Sequence, residues 1–161
     1  MSSPQKPPSH GLMSRIGYLL SRPTLEFQRL AQAALEPLGL IPPHMGVLST
    51  LHFEGPQTQR ALGVLLKVDP TTMVWLIDGL EKKRLVRRGE HPKDRRAHLV
   101  GLSSAGQAAF RRAAQALNHV EDEFLAPLSK KERDDLKRLL AKLFRSVPMQ
   151  GIPSRYFVKK A

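Results

Sequence analysis

Apolar residues recur at helical spacing through most of this chain, and the helical rhythm is interrupted once by two short strand-like runs. Leu12, Ile16, Leu19 and Leu20, followed by Phe27, Leu30, Ala31, Ala34 and Leu35, predict a helix from about Leu12 to Leu38. Pro23 lies inside it, lacks a backbone donor and crowds the preceding turn, which predicts a kink or break near Ser21–Pro23. Gly39 closes the segment. A second helix is expected from about Pro43 to Glu54, entered through Pro42-Pro43 and striped by Met45, Val47, Leu48 and Leu51. Thr58 is placed to cap a third, Gln59 to Leu66, and Lys67-Val68 then makes a tight turn. Asp69-Pro70 pairs an N-cap residue with a proline suited to the first helical position. The fourth helix that follows buries Met73, Leu76, Ile77 and Leu80, leaving Thr71, Thr72, Val74, Trp75 and Asp78 for other faces. The short step between the third and fourth helices suits a helix-turn-helix.

Leu85–Arg88 and Ala97–Leu102 then read as strands around a turn-rich loop, Gly89 to Arg96, and together predict a β-hairpin wing. Ser103 or Ser104 starts a long helix to about Ala126, and Ser129-Lys-Lys-Glu132 forms a capping box for a last helix to about Val147. Phe110, Ala114, Leu117, Val120 and Phe124, then Leu136, Leu139, Leu140, Leu143 and Phe144, make stripes that bury best in a bundle or against a second subunit. The expected fold is mainly α with a small β-hairpin. Its expected divisions are a flexible arm at 1–10, an N-terminal helix at 11–41, a helix-turn-helix lobe with its wing at 42–102, C-terminal helices at 103–147 and a basic tail at 148–161.

Composition sharpens that picture. The 161 residues are 41% apolar, enough for an ordinary core, and carry 26 Lys and Arg against 14 Asp and Glu, a net charge of +12. Such a balance favours polyanionic partners, nucleic acid before membrane. Half of the excess falls between Lys82 and Arg96, where eight basic residues face two acids. With no cysteine, thiol chemistry, disulfides and Cys-ligated zinc are excluded. No apolar run is long enough to span a bilayer, and the first residues lack the apolar core of a signal peptide, so a soluble, cytoplasmic protein is expected. The six histidines show no i,i+4 pairing, and no nucleophile–base–acid set or phosphate loop is present. Neither a metal, a cofactor nor an enzyme is implied.

From Pro56 to Gly106 the chain resembles the MarR family of bacterial transcriptional regulators. The likeness is carried by Pro56, Thr58, Gln59 and Leu62, then by Val68, Pro70, Thr72, Leu76, Asp78, Leu80, Glu81 and Lys83. Leu85-Val86, the Asp94-Arg95-Arg96 wing tip and Leu102-Ser103 with Gly106 complete it. The flanking helices match by layout alone. The resemblance implies a homodimer with interlocking first and last helices, a fourth helix in the major groove and a wing in the adjacent minor groove. It puts base-reading positions on Thr71, Thr72, Val74 and Trp75, and further DNA positions on Thr58 and Gln59. The minor-groove arginine falls on Arg96 and its orienting acid on Asp94, while Arg88, Lys93 and Arg95 complete the basic DNA face. A small-molecule cleft between dimer helices and DNA lobes would be lined by Arg15, Tyr18, His44 and His52, suiting an anionic aromatic effector.

Three departures from the family pattern matter. Lys67 and Arg84 stand where glycine is frequent, after helix ends that favour the left-handed conformation. Val74 and Trp75 stand where hydroxyl and arginine side chains are usual; they can touch thymine methyls but cannot bond guanine in a bidentate way. Trp75, the only tryptophan, either packs between helix and wing or is exposed on the DNA face. The expected function is a dimeric regulator, in this family usually a repressor, modulated by a small ligand. The alternatives are a winged-helix dimer that binds protein through Val74 and Trp75, and a nonspecific DNA-binding protein. If Arg96 enters the minor groove, Arg96→Ala should weaken duplex binding by roughly 1–2 kcal/mol and lower the salt slope by about one. A titration with affinity and slope unchanged would remove that assignment.

Overall fold

A computed structural model describes residues 10–91 and 94–146, without the side chains of 10 and 91–97. The arm at 1–9 and the tail from 147 lie outside the described residues. Helix α1 (His10–Met13) is a single turn, and α2 (Ile16–Leu35) is a long helix that passes through Pro23 unbroken. The break expected at Pro23 falls instead at Ser14–Arg15. Hydroxyls beside the proline bond carbonyls of the preceding turn, Thr24 Oγ1 to Leu20 O at 2.7 Å and Ser21 Oγ to Tyr18 O at 3.0 Å. A short 3-10 turn follows, and Gly39 ends it in the left-handed region, φ 64°.

Helices α3 (Pro42–Glu54), α4 (Gln59–Leu66) and α5 (Pro70–Lys82) form the helix-turn-helix. Thr58 caps α4 by accepting from Ala61 N at 3.1 Å, as its position suggested. Asp69 caps α5, its Oδ1 accepting from Thr72 N at 2.9 Å and its Oδ2 from Thr72 Oγ1 at 2.6 Å. These bonds hold the Asp69 carboxyl below its ordinary pKa, the Thr72 hydroxyl contributing most. Lys67 and Arg84 both take the left-handed conformation, φ 52° and 57°, which costs a non-glycine residue about a kcal/mol each.

The wing is a three-stranded antiparallel sheet, not a bare hairpin. Strands β2 (Val86–His91) and β3 (Asp94–Leu102) pair along the wing, and a two-residue strand β1 (Gln57–Thr58) adds to the other edge of β3. The β2–β3 register runs from Val86 opposite Leu102 to Glu90 opposite His98, with an irregularity at Glu90–His91. Helix α6 (Ser104–Phe124) is capped by Ser103, whose Oγ accepts from Gly106 N at 2.9 Å. Helix α7 (Lys130–Ser146) starts at the Ser129–Glu132 box, with Ser129 N donating to Glu132 Oε2 at 2.8 Å.

The core lies where α3, α5, the wing root and α6 meet. Met73, Leu76, Ile77 and Leu80 are fully buried there, against Val47, Leu48, Val100 and Phe110. Complete burial of one such side chain is worth about 1.5–3 kcal/mol, so this cluster dominates the stability of the lobe. Outside it, α2 meets α6 through Phe27 and Phe124, edge to face with centroids 5.4 Å apart. The remaining apolar faces are uncovered: Ile16, Leu19, Leu20 and Leu25 on α2, and Leu139, Leu140, Leu143 and Phe144 on α7 are all exposed.

Candidate nucleic-acid interface and a cavity behind the wing

Burying Met73, Leu76, Ile77 and Leu80 turns the opposite edge of α5 outward. Thr71 is exposed, as are Val74 and Trp75, at 41% and 49%. That rules out the packed reading of Trp75. Thr72 needs a correction. It is 6% exposed, and its hydroxyl is held by Asp69, so it belongs to the helix cap and not to a base-reading edge. At the start of α4, Thr58 and Gln59 are half-buried, and the Thr58 hydroxyl is committed to its capping bond.

Arg88 needs a second correction. Strand parity turns it, with buried Val86, toward α5, where its Nη2 bonds Asp78 Oδ1 at 2.6 Å and its Nη1 bonds Glu81 Oε2. The hydrogen bond that Arg88 donates to Asp78 raises the Arg88 pKa above its already high ordinary value. One guanidinium between two carboxylates contributes no free positive charge toward phosphate. It ties the wing to α5, which is a physical reason for acids at 78 and 81. Arg87, its neighbour, points the other way. Among the sequence-expected wing residues, Lys93 lies outside the described residues, as do the side chains of Asp94, Arg95 and Arg96; the backbone puts the last three at the start of β3.

His44 and His52 do not share a site. His44 is 5% exposed beneath α5, its ring stacked on Trp75 with centroids 6.2 Å apart and planes 22° from parallel. Its Nδ1 accepts from Ile41 N at 3.4 Å, closing the first turn of α3. Burial, reinforced by the charge of Lys83, lowers its pKa from 6.5 to about 4. His44 is therefore neutral near pH 7 and gives an anionic ligand no cation, contrary to expectation. Arg15 and Tyr18 lie at the start of α2, Arg15 exposed and Tyr18 half-buried. His52 instead stacks on Phe110, centroids 4.3 Å apart, beside a cavity of about 410 Å³. Arg87 on β2, Gln107 on α6, Gly89 and Gly101 also line that cavity, behind the wing sheet. Arg87 and Gln107 escaped the site assignment from sequence. Strand alternation alone separates Arg87 from Arg88, and the approach of α6 is a tertiary matter.

Residues 38–97, which carry the helix-turn-helix and the wing, match the profile of the MarR family. A regulatory protein of Thauera aromatica, provisionally assigned to an hcr operon, is 32% identical over 138 residues, covering 84% of this chain and 83% of the relative. The chain belongs to the MarR family. It is accordingly a DNA-binding transcriptional regulator and not an enzyme. Its fold superposes on a probable transcriptional regulator from Pseudomonas aeruginosa with a TM-score of 0.74 and 33% identity, over 82% of this chain and 98% of that one. The repressor CouR bound to a 23-mer DNA duplex gives a TM-score of 0.79 at 27% identity, over 86% and 98% of the two chains. CouR from Rhodococcus jostii bound to p-coumaroyl-CoA gives 0.74 at 25%, over 88% and 99%. Among the described residues, no helix is long and apolar enough to cross a membrane.

Proposed function

We propose that the protein is a dimeric repressor that binds paired half-sites in duplex DNA and is released by a small anionic aromatic ligand. The observation that carries this is the outward edge of α5, held beside a basic wing by the Arg88 clamp to Asp78 and Glu81. Dimerisation is supported by the uncovered apolar faces of α2 and α7, since contiguous exposed apolar surface marks an interaction site. On this reading residues 42–102 form the DNA lobe, and the flanking helices join two copies. Ligand control is supported by the cavity behind the wing, where Arg87 offers a cation and the His52 ring, stacked on Phe110, an aromatic wall. A ligand there would touch β2 directly and favour one wing position over another. CouR, seen both with DNA and with an aromatic acyl-CoA, is a precedent for the combination.

Selection of bound duplexes from random DNA should return an inverted repeat with half-sites about one helical turn apart. Failure to enrich any duplex would refute the sequence-specific regulator. It would favour the competing reading, in which exposed Val74 and Trp75 contact protein. In the same preparation, Leu140→Glu with Leu143→Glu should convert a dimer to a monomer in a mass measurement. A wild-type chain that is already monomeric would refute the paired architecture.

A further inference from the structure

The outward edge of α5 carries an unusual set of groups for reading bases. From Pro70 to Asp78 the helix has no arginine, lysine, asparagine or glutamine, the side chains that bond guanine or adenine in a bidentate way. Beyond the exposed Pro70 ring at the helix start, its exposed positions offer one uncommitted hydroxyl, on Thr71, and two apolar side chains, Val74 and Trp75. Asp78 is tied to Arg88. Thymine alone among the four bases presents an apolar group, its 5-methyl, in the major groove. Residues near the start of a recognition helix are the ones that reach base edges. The indole is also held in place: buried His44 stacks beneath it, and His44 Nε2 lies only 3.4 Å from where a β-carbon at Gly79 would sit.

We propose that α5 reads thymine by its 5-methyl group, with Trp75 as the specificity-determining side chain, Val74 beside it, and His44 as the residue that positions the indole. This rests on the DNA-binding reading above. Replacing a thymine by deoxyuridine deletes the methyl and leaves base pairing and the O4 acceptor intact, so it isolates the contact. In the site selected by the full chain, uracil should weaken binding about three- to fivefold at one or two positions of each half-site, the worth of one buried methyl. Cytosine at those positions should bind weakly, and 5-methylcytosine should recover part of the loss. In Trp75→Ala the uracil penalty should disappear. In His44→Gln it should shrink while affinity for random duplex stays the same, and His44→Phe, which keeps a planar ring, should restore it. Because Trp75 is the only tryptophan, its emission should change when the selected duplex is added, and change less with the uracil form.

A preferred site that tolerates uracil at every thymine within twofold would overturn methyl reading and leave the DNA-binding function standing. A uracil penalty that persists in Trp75→Ala would overturn the role of Trp75. Selection that finds no preferred site would overturn both the regulator and this proposal. Should Trp75→Ala fail to fold, the uracil scan and tryptophan emission of the wild-type chain decide the matter alone.

Discussion

Replacing Gly106 with alanine is expected to lower the unfolding free energy by about 3 kcal/mol or more. A β-carbon built there would lie 1.9 Å from the carbonyl oxygen of Leu85 and 2.9 Å from its carbonyl carbon. Both are backbone atoms, so no side chain can rotate aside. The first turn of α6 would have to lift off the wing root, where Ser103 holds it down: its N–H donates to Leu85 O at 3.0 Å, and its hydroxyl is shared between Arg84 O at 2.7 Å and Leu85 O at 3.2 Å. Overpacking alone costs about 1–3 kcal/mol, and loosening these bonds adds to it. Against a typical total of about 5–15 kcal/mol, the loss is large, and the melting temperature should fall by ~6–12 °C. Gly101→Ala and Gly89→Ala serve as controls. The first would meet Pro56 Cγ at an ordinary 3.5 Å, and the second would meet nothing within 4 Å. Urea unfolding of the three variants checks the expectation. A Gly106→Ala protein within about half a kcal/mol of wild type would mean that α6 does not start this close to the wing.

The same residue shows how a short motif can be read without its cause being visible. Leu102-Ser103 with Gly106 was legible as part of a family likeness, and Ser103 as one of two possible caps. The reason for the glycine is a contact with Leu85, far away in sequence, that no local pattern encodes. Helix starts were legible because their causes are local: Thr58 and Asp69 bond the first turns that follow them. The buried stripe of α5 was legible because helical periodicity places it. Thr72 was misread because periodicity counts faces and not hydroxyls, and its own bond to Asp69 draws it inward. The strand β1 escaped notice because two residues give no pattern; only Val100 and Leu99 across the gap define it. Arg88 and Arg87 look alike in a basic run, yet adjacent strand positions face opposite sides of the sheet. One meets acids on α5, and the other overhangs a cavity.

Lowering the pH from 7.5 to 4 should cost the protein up to ~3 kcal/mol of stability through His44 alone. In the unfolded chain this imidazole takes its ordinary pKa, 6.5, whereas burial beneath α5 and the nearby charge of Lys83 bring it to about 4 in the folded protein. Between these values the unfolded state binds more protons than the folded one, so stability falls as the pH falls through that window. Above about pH 7.5 both states are essentially neutral there and the contribution is level. The groups around the ring explain the size: Trp75 stacks on it, Gly79 backs it, and the Ile41 N–H offers only a donor, which a protonated nitrogen cannot accept. His44→Gln cannot titrate, so its stability should depend less steeply on pH, although lost packing should lower it at pH 7.5 by roughly 1–2 kcal/mol. The two stability curves should cross between about pH 5 and 6. The remaining histidines and the carboxylates are common to both proteins, so the difference between the curves isolates position 44. Parallel curves would show that His44 is not held neutral in the folded protein. Because the same ring supports Trp75, acid should disturb the reading edge of α5 before the rest of the lobe, and the emission of the single tryptophan should shift ahead of global unfolding.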